Sequence, residues 1–153
     1  MNVGIFIDGK TLFYGLSNTK IDFSIFKEWL SKNDDVTYAG YFNCLDNVNT
    51  KQSFFSHVFK SGFKVFIRNS IKSFIDDSIA FNLSDIELTA EAILNKEKFD
   101  KVIIVSGKSD FLPLAESLSM QGKNVEIIGF NNNIGNVFSK YEIRYVEDFI
   151  KNE

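Results

Sequence analysis

The chain's 153 residues fall in the single-domain range, and a hydrophobic content of 44% can fill one core. No apolar run approaches the ~20 residues needed to cross a bilayer, and Met1 to Gly9 is too short and too acidic for a signal sequence, so a soluble, cytoplasmic protein without membrane association is expected. The formal net charge of −3 argues against a purely electrostatic nucleic-acid binder, while Cys44 and His57, each the only residue of its type, exclude an intrachain disulfide, a cysteine-based zinc site and a histidine-rich metal site. Any metal is therefore expected to be a hard cation held by carboxylates, Mg²⁺ or Mn²⁺.

In chain order, Val3 to Ile7 reads as a buried strand that ends at Asp8-Gly9-Lys10. Helical patterns follow over Thr11 to Leu16 and Phe23 to Leu30, then a strand over Val36 to Phe42. Phe54, Phe55, Val58 and Phe59 give one apolar helical face before Gly62 ends that helix, and Lys64 to Ile67 forms the next strand. Ser84-Asp85-Ile86-Glu87 reads as a capping box opening a helix whose buried side carries Ile86, Ala90, Ile93 and Leu94. Lys101 to Val105 is a strand, Asp110 is placed to cap the following helix with Pro113 in its first turn, and Gln121-Gly122 ends that helix before a strand at Asn124 to Ile128. Asn131 to Asn133 is a loop, and Arg144 to Ile150 supplies a short strand and helix. Strands alternating with helices imply a single α/β domain over residues 1–153, with a mostly parallel sheet covered on both sides.

In such a sheet the loops leaving the carboxyl ends of strands line the ligand crevice, so Asp8 and Asp110 can face one site although far apart in sequence. A carboxylate directly after a buried strand is costly unless paired or coordinating, which favours a functional reading of Asp8. Asp110 and Asp85 each have a purely structural reading, as an N-cap and as a first-turn acid favourable to the helix dipole. Glu91, with Glu87 and Asn95 at helical spacing, reads by itself as part of a solvated face. From Asn47 to Ile75 there is no acid, and Lys51, Lys60, Lys64, Arg68 and Lys72 make that stretch basic, either as a track for a phosphate backbone or as the solvated sides of one helix and one strand.

These residues resemble the NYN family of PIN-like nucleases along almost the whole chain. Ile5-Phe6-Ile7-Asp8-Gly9 is similar to the family's opening strand and Asp-Gly-Asn turn, and Ser61-Gly62-Phe63-Lys64-Val65 to its helix-to-strand junction. Ser84 to Ala92 resembles the Val-Asp-Val segment with a second acid six residues on. Ser106-Gly107-Lys108-Ser109-Asp110-Phe111 resembles Ser-Gly-Asp-x-Asp-Phe, and Gln121 to Val125 the following Gly-Lys-x-Val. The resemblance implies a three-layer α/β/α PIN-like (Rossmann-like) sandwich and a metal-dependent endoribonuclease. On it, Asp8, Asp85 and Asp110 are metal ligands and, with Glu91, catalytic. Mg²⁺ or Mn²⁺ would supply the nucleophilic water and the stabilisation of developing charge that phosphodiester hydrolysis needs.

Two departures add positive charge: Lys108 stands where the family has the first Asp of Ser-Gly-Asp-x-Asp, and Lys10 where it has the Asn of the opening turn. At ~4 Å, two unit charges interact by ~4 kcal/mol at an effective dielectric of ~20, so an ammonium that close competes with a divalent ion. Lys10, Ser106 and Lys108 then become candidates for contacting RNA phosphate, together with the five basic residues of the acid-free stretch.

Ser106 to Ser109 lacks the first glycine of a phosphate-binding loop, and Ser106 has no recognisable histidine base, so an ATPase and a serine hydrolase are both disfavoured. The 17 phenylalanines have the spacing of core residues. The expectation is therefore endoribonucleolytic cleavage. The alternative is a catalytically degenerate member that binds RNA or a protein partner, the latter through an exposed apolar patch. Homodimerisation is left open.

Overall fold

In a computed structural model, residues 1–45, 51–69, 71–72, 80–81 and 83–152 are described. The elements run β1 (Asn2–Asp8), α1 (Gly9–Leu16), α2 (Phe23–Ser31), β2 (Asp35–Leu45), α3 (Gln52–Lys60) and β3 (Lys64–Asn69). A small antiparallel pair, β4 (Ile71–Lys72) and β5 (Ala80–Phe81), precedes α4 (Leu83–Leu94). There follow β6 (Lys101–Val105), α5 (Leu112–Met120), β7 (Asn124–Gly129), β8 (Glu142–Tyr145) and α6 (Val146–Asn152). The central sheet has the order β3-β2-β1-β6-β7-β8, and all of its pairings are parallel. No helix among the described residues is long and apolar enough to cross a membrane.

Alternation along β1 sorts the core into two layers. Val3, Ile5 and Ile7 pack with Leu12, Phe26, Val58 and Phe149, the contributions of α1, α2, α3 and α6. Phe6 points the other way, into Phe42, Leu88, Ile104 and Leu118 beneath α4 and α5. The result is the expected three-layer α/β/α sandwich. Because the strand order reverses direction between β1 and β6, this pair marks the switch point, where the carboxyl ends of the strands open a crevice.

Most punctuation follows the sequence. Gly62 and Gly122 take positive φ (98° and 83°) at the ends of their helices, and Pro113 sits in the first turn of α5. Of the expected buried side of α4 only Ile93 packs against the core, partly buried, and Ala90 is exposed. Ile86 and Leu94 are 66% and 78% exposed, whereas Ser84, Asp85, Leu88 and Ala92 are buried. The helix begins at Leu83, so Ser84 lies inside it and does not cap it, and Asp85 turns toward the sheet instead of solvent. Asp110 is not a cap either. A 3₁₀ turn over Ser109–Phe111 intervenes, and Phe111 occupies the N-cap of α5 without a side-chain bond. On α3, Phe55 and Val58 are buried but Phe59 is 66% exposed.

The outer half of the sheet holds an ion-pair hub. Glu126, in the middle of β7, has no exposed surface. Arg144 of β8 donates to it from Nε (2.6 Å) and Nη2 (3.0 Å), and Lys101 of β6 stands 3.1 Å away. Arg144 also donates to the Trp29 and Leu30 carbonyls near the end of α2 and lies over the Trp29 ring, so one side chain ties β7, β8 and α2 together. Burial pushes the Glu126 carboxyl up, but the hydrogen bonds and charges of Arg144 and then Lys101 outweigh it and hold the group below its ordinary value.

Candidate functional site

Asp8 closes β1 and is almost completely buried. By alternation it shares Phe6's side of the sheet, the side covered by α4 and α5. The chain enters α1 immediately afterwards, and Asp8 is its N-cap, accepting from the Thr11 backbone N–H (3.3 Å) and the Thr11 hydroxyl (2.6 Å). Ser106, one residue past the end of β6 and buried, donates to the same carboxylate at 2.9 Å. The two strand ends flanking the switch point are thus joined directly, side chain to side chain. The sequence singled out Asp8 and Ser106; it did not single out Thr11, although an Asp three residues before a Thr at a helix start is a capping signal.

Gly107 fixes the next step. Its carbonyl accepts from the Gly135 N–H at 3.1 Å, and a Cβ at this position would collide with the Asn133 carbonyl, so only glycine lets the loop after β7 close against the end of β6. That closure aims Lys108 toward α4, where its ammonium forms an ion pair with the buried Asp85. The charges of Asp8 and Asp110 act on both members of the pair. Burial pushes Asp85 up; the Lys108 bond pulls it down, and the neighbouring carboxylates add to the upward push, which prevails. Burial alone would depress Lys108, but its bond to Asp85 and the field of the three acids hold it above its ordinary value. Three carboxylates facing one ammonium favour protonation at either group.

Of the remaining sequence-predicted residues, only Lys10 borders this site. Glu91, further along α4 than Asp85, accepts from Asn95 (2.7 Å) and from the Tyr38 hydroxyl (3.3 Å), and it is not among the charges acting on Asp85. Arg68 is held by Glu87, and Lys64 lies over the Tyr38 ring on the α4 side of the sheet. Lys51 and Lys60 belong to the start and end of α3, on the opposite side, so the acid-free stretch does not form one basic face. The side chain of Lys72 lies outside the described residues. Lys10 is exposed, and with Thr11, Tyr14, Gly15, Lys108 and Asn133 it lines a crevice over the strand ends. Beside Asp85 and Asp110, an apolar hollow of ≈ 740 Å³ runs along Ile86, Ala90, Ile93 and Leu94.

The NYN domain family matches residues 2–151, which is nearly the whole chain. The chain belongs to the NYN domain family. Its fold is similar to the crystal structure of VPA0982, a protein of unknown function from Vibrio parahaemolyticus, with a TM-score of 0.78 at 23% identity over 96% of this chain and 93% of that one. No curated protein matches the chain. The NYN family is a family of PIN-like nucleases, and the fold described above is the PIN-like α/β sandwich. NYN nucleases typically use divalent metals, and the residues here can be tested against that need. Among the described residues, no group of three or more Asp, Glu, His or Cys side chains is arranged to hold one ion. Asp8 is engaged by two hydroxyls and a backbone N–H, Asp85 by the Lys108 ammonium. As arranged, the site does not fit a divalent cation; Lys108 supplies the positive charge from within the chain.

Proposed function

We propose that this NYN protein binds RNA at the carboxyl edge of β1 and β6 without cleaving it through a divalent metal. The observation that carries this reading is the ion pair of Lys108 with Asp85, in the field of Asp8 and Asp110. An internal ammonium balances part of the acid cluster that a metal-dependent member would balance with a cation. In this reading Lys10, with Tyr14 and Asn133 beside it, offers the phosphate-contacting side of the crevice, and the buried Asp8–Ser106–Thr11 bonds hold the strand ends rigid beneath it.

A second reading, metal-dependent endoribonuclease, is favoured by one observation. The charges of Asp8 and Asp110 both reach Asp85. It requires Lys108 to leave Asp85. The two readings separate in a paired assay of end-labelled single-stranded RNA, following binding by anisotropy and integrity by gel, with Mg²⁺ or Mn²⁺ added. The proposal expects wild type to bind RNA and leave it intact, and Lys10→Ala to weaken binding. Metal-dependent cleavage by wild type that Asp8→Asn abolishes would overturn it. Absence of any RNA binding would instead direct attention to a protein partner on the apolar hollow along α4.

A further inference from the structure

Helix α1 has two chemically different sides. Gly9, Leu12, Phe13 and Leu16 recur at helical spacing on one, and Lys10 and Tyr14, four residues apart, lie on the other. The second side borders the crevice shared with Lys108 and Asn133. The first borders a hollow of ≈ 500 Å³ walled by Leu12, Phe13, Phe23, Tyr41 and Phe54. A neighbouring hollow of ≈ 430 Å³ shares Phe13, Tyr41 and Phe54 with it and adds Lys51, whose ammonium lies 3.7 Å from the centroid of the Phe13 ring. Phe13 thus borders both hollows, and Lys51 lines the second only.

Several features of this hollow differ from ordinary core. Phe13 is 44% exposed, although Phe23 and Tyr41, which line the same hollow, are buried. The hollow adjoins the candidate site directly. Gly9, which lines it, follows Asp8, and Tyr41 packs so tightly on Gly9 that a Cβ there would collide with its ring. The negative charge of Asp8 acts on the Tyr41 hydroxyl. Lysines stand on both sides of the helix, Lys10 and Lys108 in the crevice and Lys20 and Lys51 among the residues of the two hollows.

We propose that the hollow between α1 and α3 is a nucleobase subsite for single-stranded RNA, in which an unstacked base lies against Phe13 while the adjoining phosphate backbone crosses α1 to the lysines of the crevice. The inference rests on the RNA-binding reading given above. Apolar and aromatic walls suit the face of a base, and the flanking ammoniums suit the phosphates attached to it. The helix between them is about 10 Å across with its side chains, a distance a flexible single strand spans and a base-paired duplex, with its bases stacked inside, does not exploit.

The test compares three labelled or competing probes: a short single-stranded RNA, the same RNA annealed to its complement, and inorganic polyphosphate. Each is measured against wild type, Phe13→Ala, Phe13→Trp and, as a control for an exposed ring that lines neither hollow, Phe59→Ala. Phe13→Ala is expected to weaken single-stranded RNA binding about fivefold to a hundredfold, the loss found when a base-stacking aromatic is truncated. Duplex and polyphosphate binding should be unchanged, Phe13→Trp should retain affinity, and Phe59→Ala should behave as wild type. Wild-type affinity in Phe13→Ala, or an equal loss for polyphosphate, overturns the subsite while leaving the RNA-binding reading intact. If wild type binds none of the RNA probes, both fall.

Discussion

Replacing Arg144 by Met removes one guanidinium from a carboxylate that has no contact with solvent. Glu126 loses two charge-assisted hydrogen bonds, and the Trp29 and Leu30 carbonyls lose donors at 2.9 and 2.7 Å. Breaking a buried pair by deleting one member costs about 3–5 kcal/mol, because the remaining charge is left buried. Lys101 stays 3.1 Å from Glu126 and offsets part of that, while the two orphaned carbonyls add back about 1 kcal/mol each. A net loss of about 3–5 kcal/mol follows. For a domain of this size each kcal/mol lowers Tm by about 2–4 °C, so the variant should melt about 6–20 °C below wild type. Urea denaturation followed by circular dichroism reads the same quantity. The double variant Arg144→Met with Glu126→Leu should recover much of the loss, since it removes the stranded charge as well. A loss below about 1 kcal/mol in the single variant would refute the assignment of a buried, interdependent pair.

The same hub predicts a pH dependence. Because the folded Glu126 carboxyl lies below its unfolded value, its contribution is complete above about pH 4.3 and is lost as pH falls through the folded value; the stability gap between wild type and Glu126→Gln should narrow on acidification, as measured by urea denaturation across that range. At the candidate site, Lys108→Met leaves Asp8, Asp85 and Asp110 facing one another, so this variant should lose about 1–2 kcal/mol at neutral pH and regain stability as the solution is acidified and the carboxylates protonate, a trend readable by thermal melts at two pH values. Gly107→Ala should destabilise the fold by about 1–3 kcal/mol, because the added carbon meets backbone of the loop after β7 and not a side chain that can swing away. Asp8→Ala removes a helix cap and a partner of two hydroxyls, and should cost about 2 kcal/mol by chemical denaturation.

Much of the fold was written in the apolar runs. Val3 to Ile7 and Val102 to Val105 are too continuous to be one-sided strands, which required helices on both faces and placed their end residues at a common rim. That is why Asp8 and Asp110 could be placed at one rim from sequence alone, whereas the direct bond between Ser106 and Asp8 is a finding of the structure. The orientation of α4 was not legible, because amphipathicity assigns the apolar residues to the core. Here the helix turns Asp85 inward to Lys108 and leaves Ile86 and Leu94 outside. The partner of Lys108 was likewise hidden: Asp8, Asp85 and Asp110, far apart along the chain, all act on its ammonium, and only the folded arrangement pairs it with Asp85. Glu126 could have been flagged, since an acid inside an apolar strand of a doubly covered sheet must be paired, but nothing in the sequence names Arg144 as the partner. The aromatic hollow escaped for the opposite reason. Phe13 has the spacing of a core residue and the exposure of a surface one.

In the proposed reading the Lys108 ammonium stands in the acid cluster in place of a divalent cation. Titrating Mn²⁺ into wild type and Lys108→Asp by calorimetry tests it most directly, with thermal melting alongside to show that both are folded. Wild type should show no saturable Mn²⁺ binding, and Lys108→Asp should gain it and lose it again when Asp8→Asn is added. Saturable binding of Mn²⁺ to wild type that disappears with Asp8→Asn would contradict that reading.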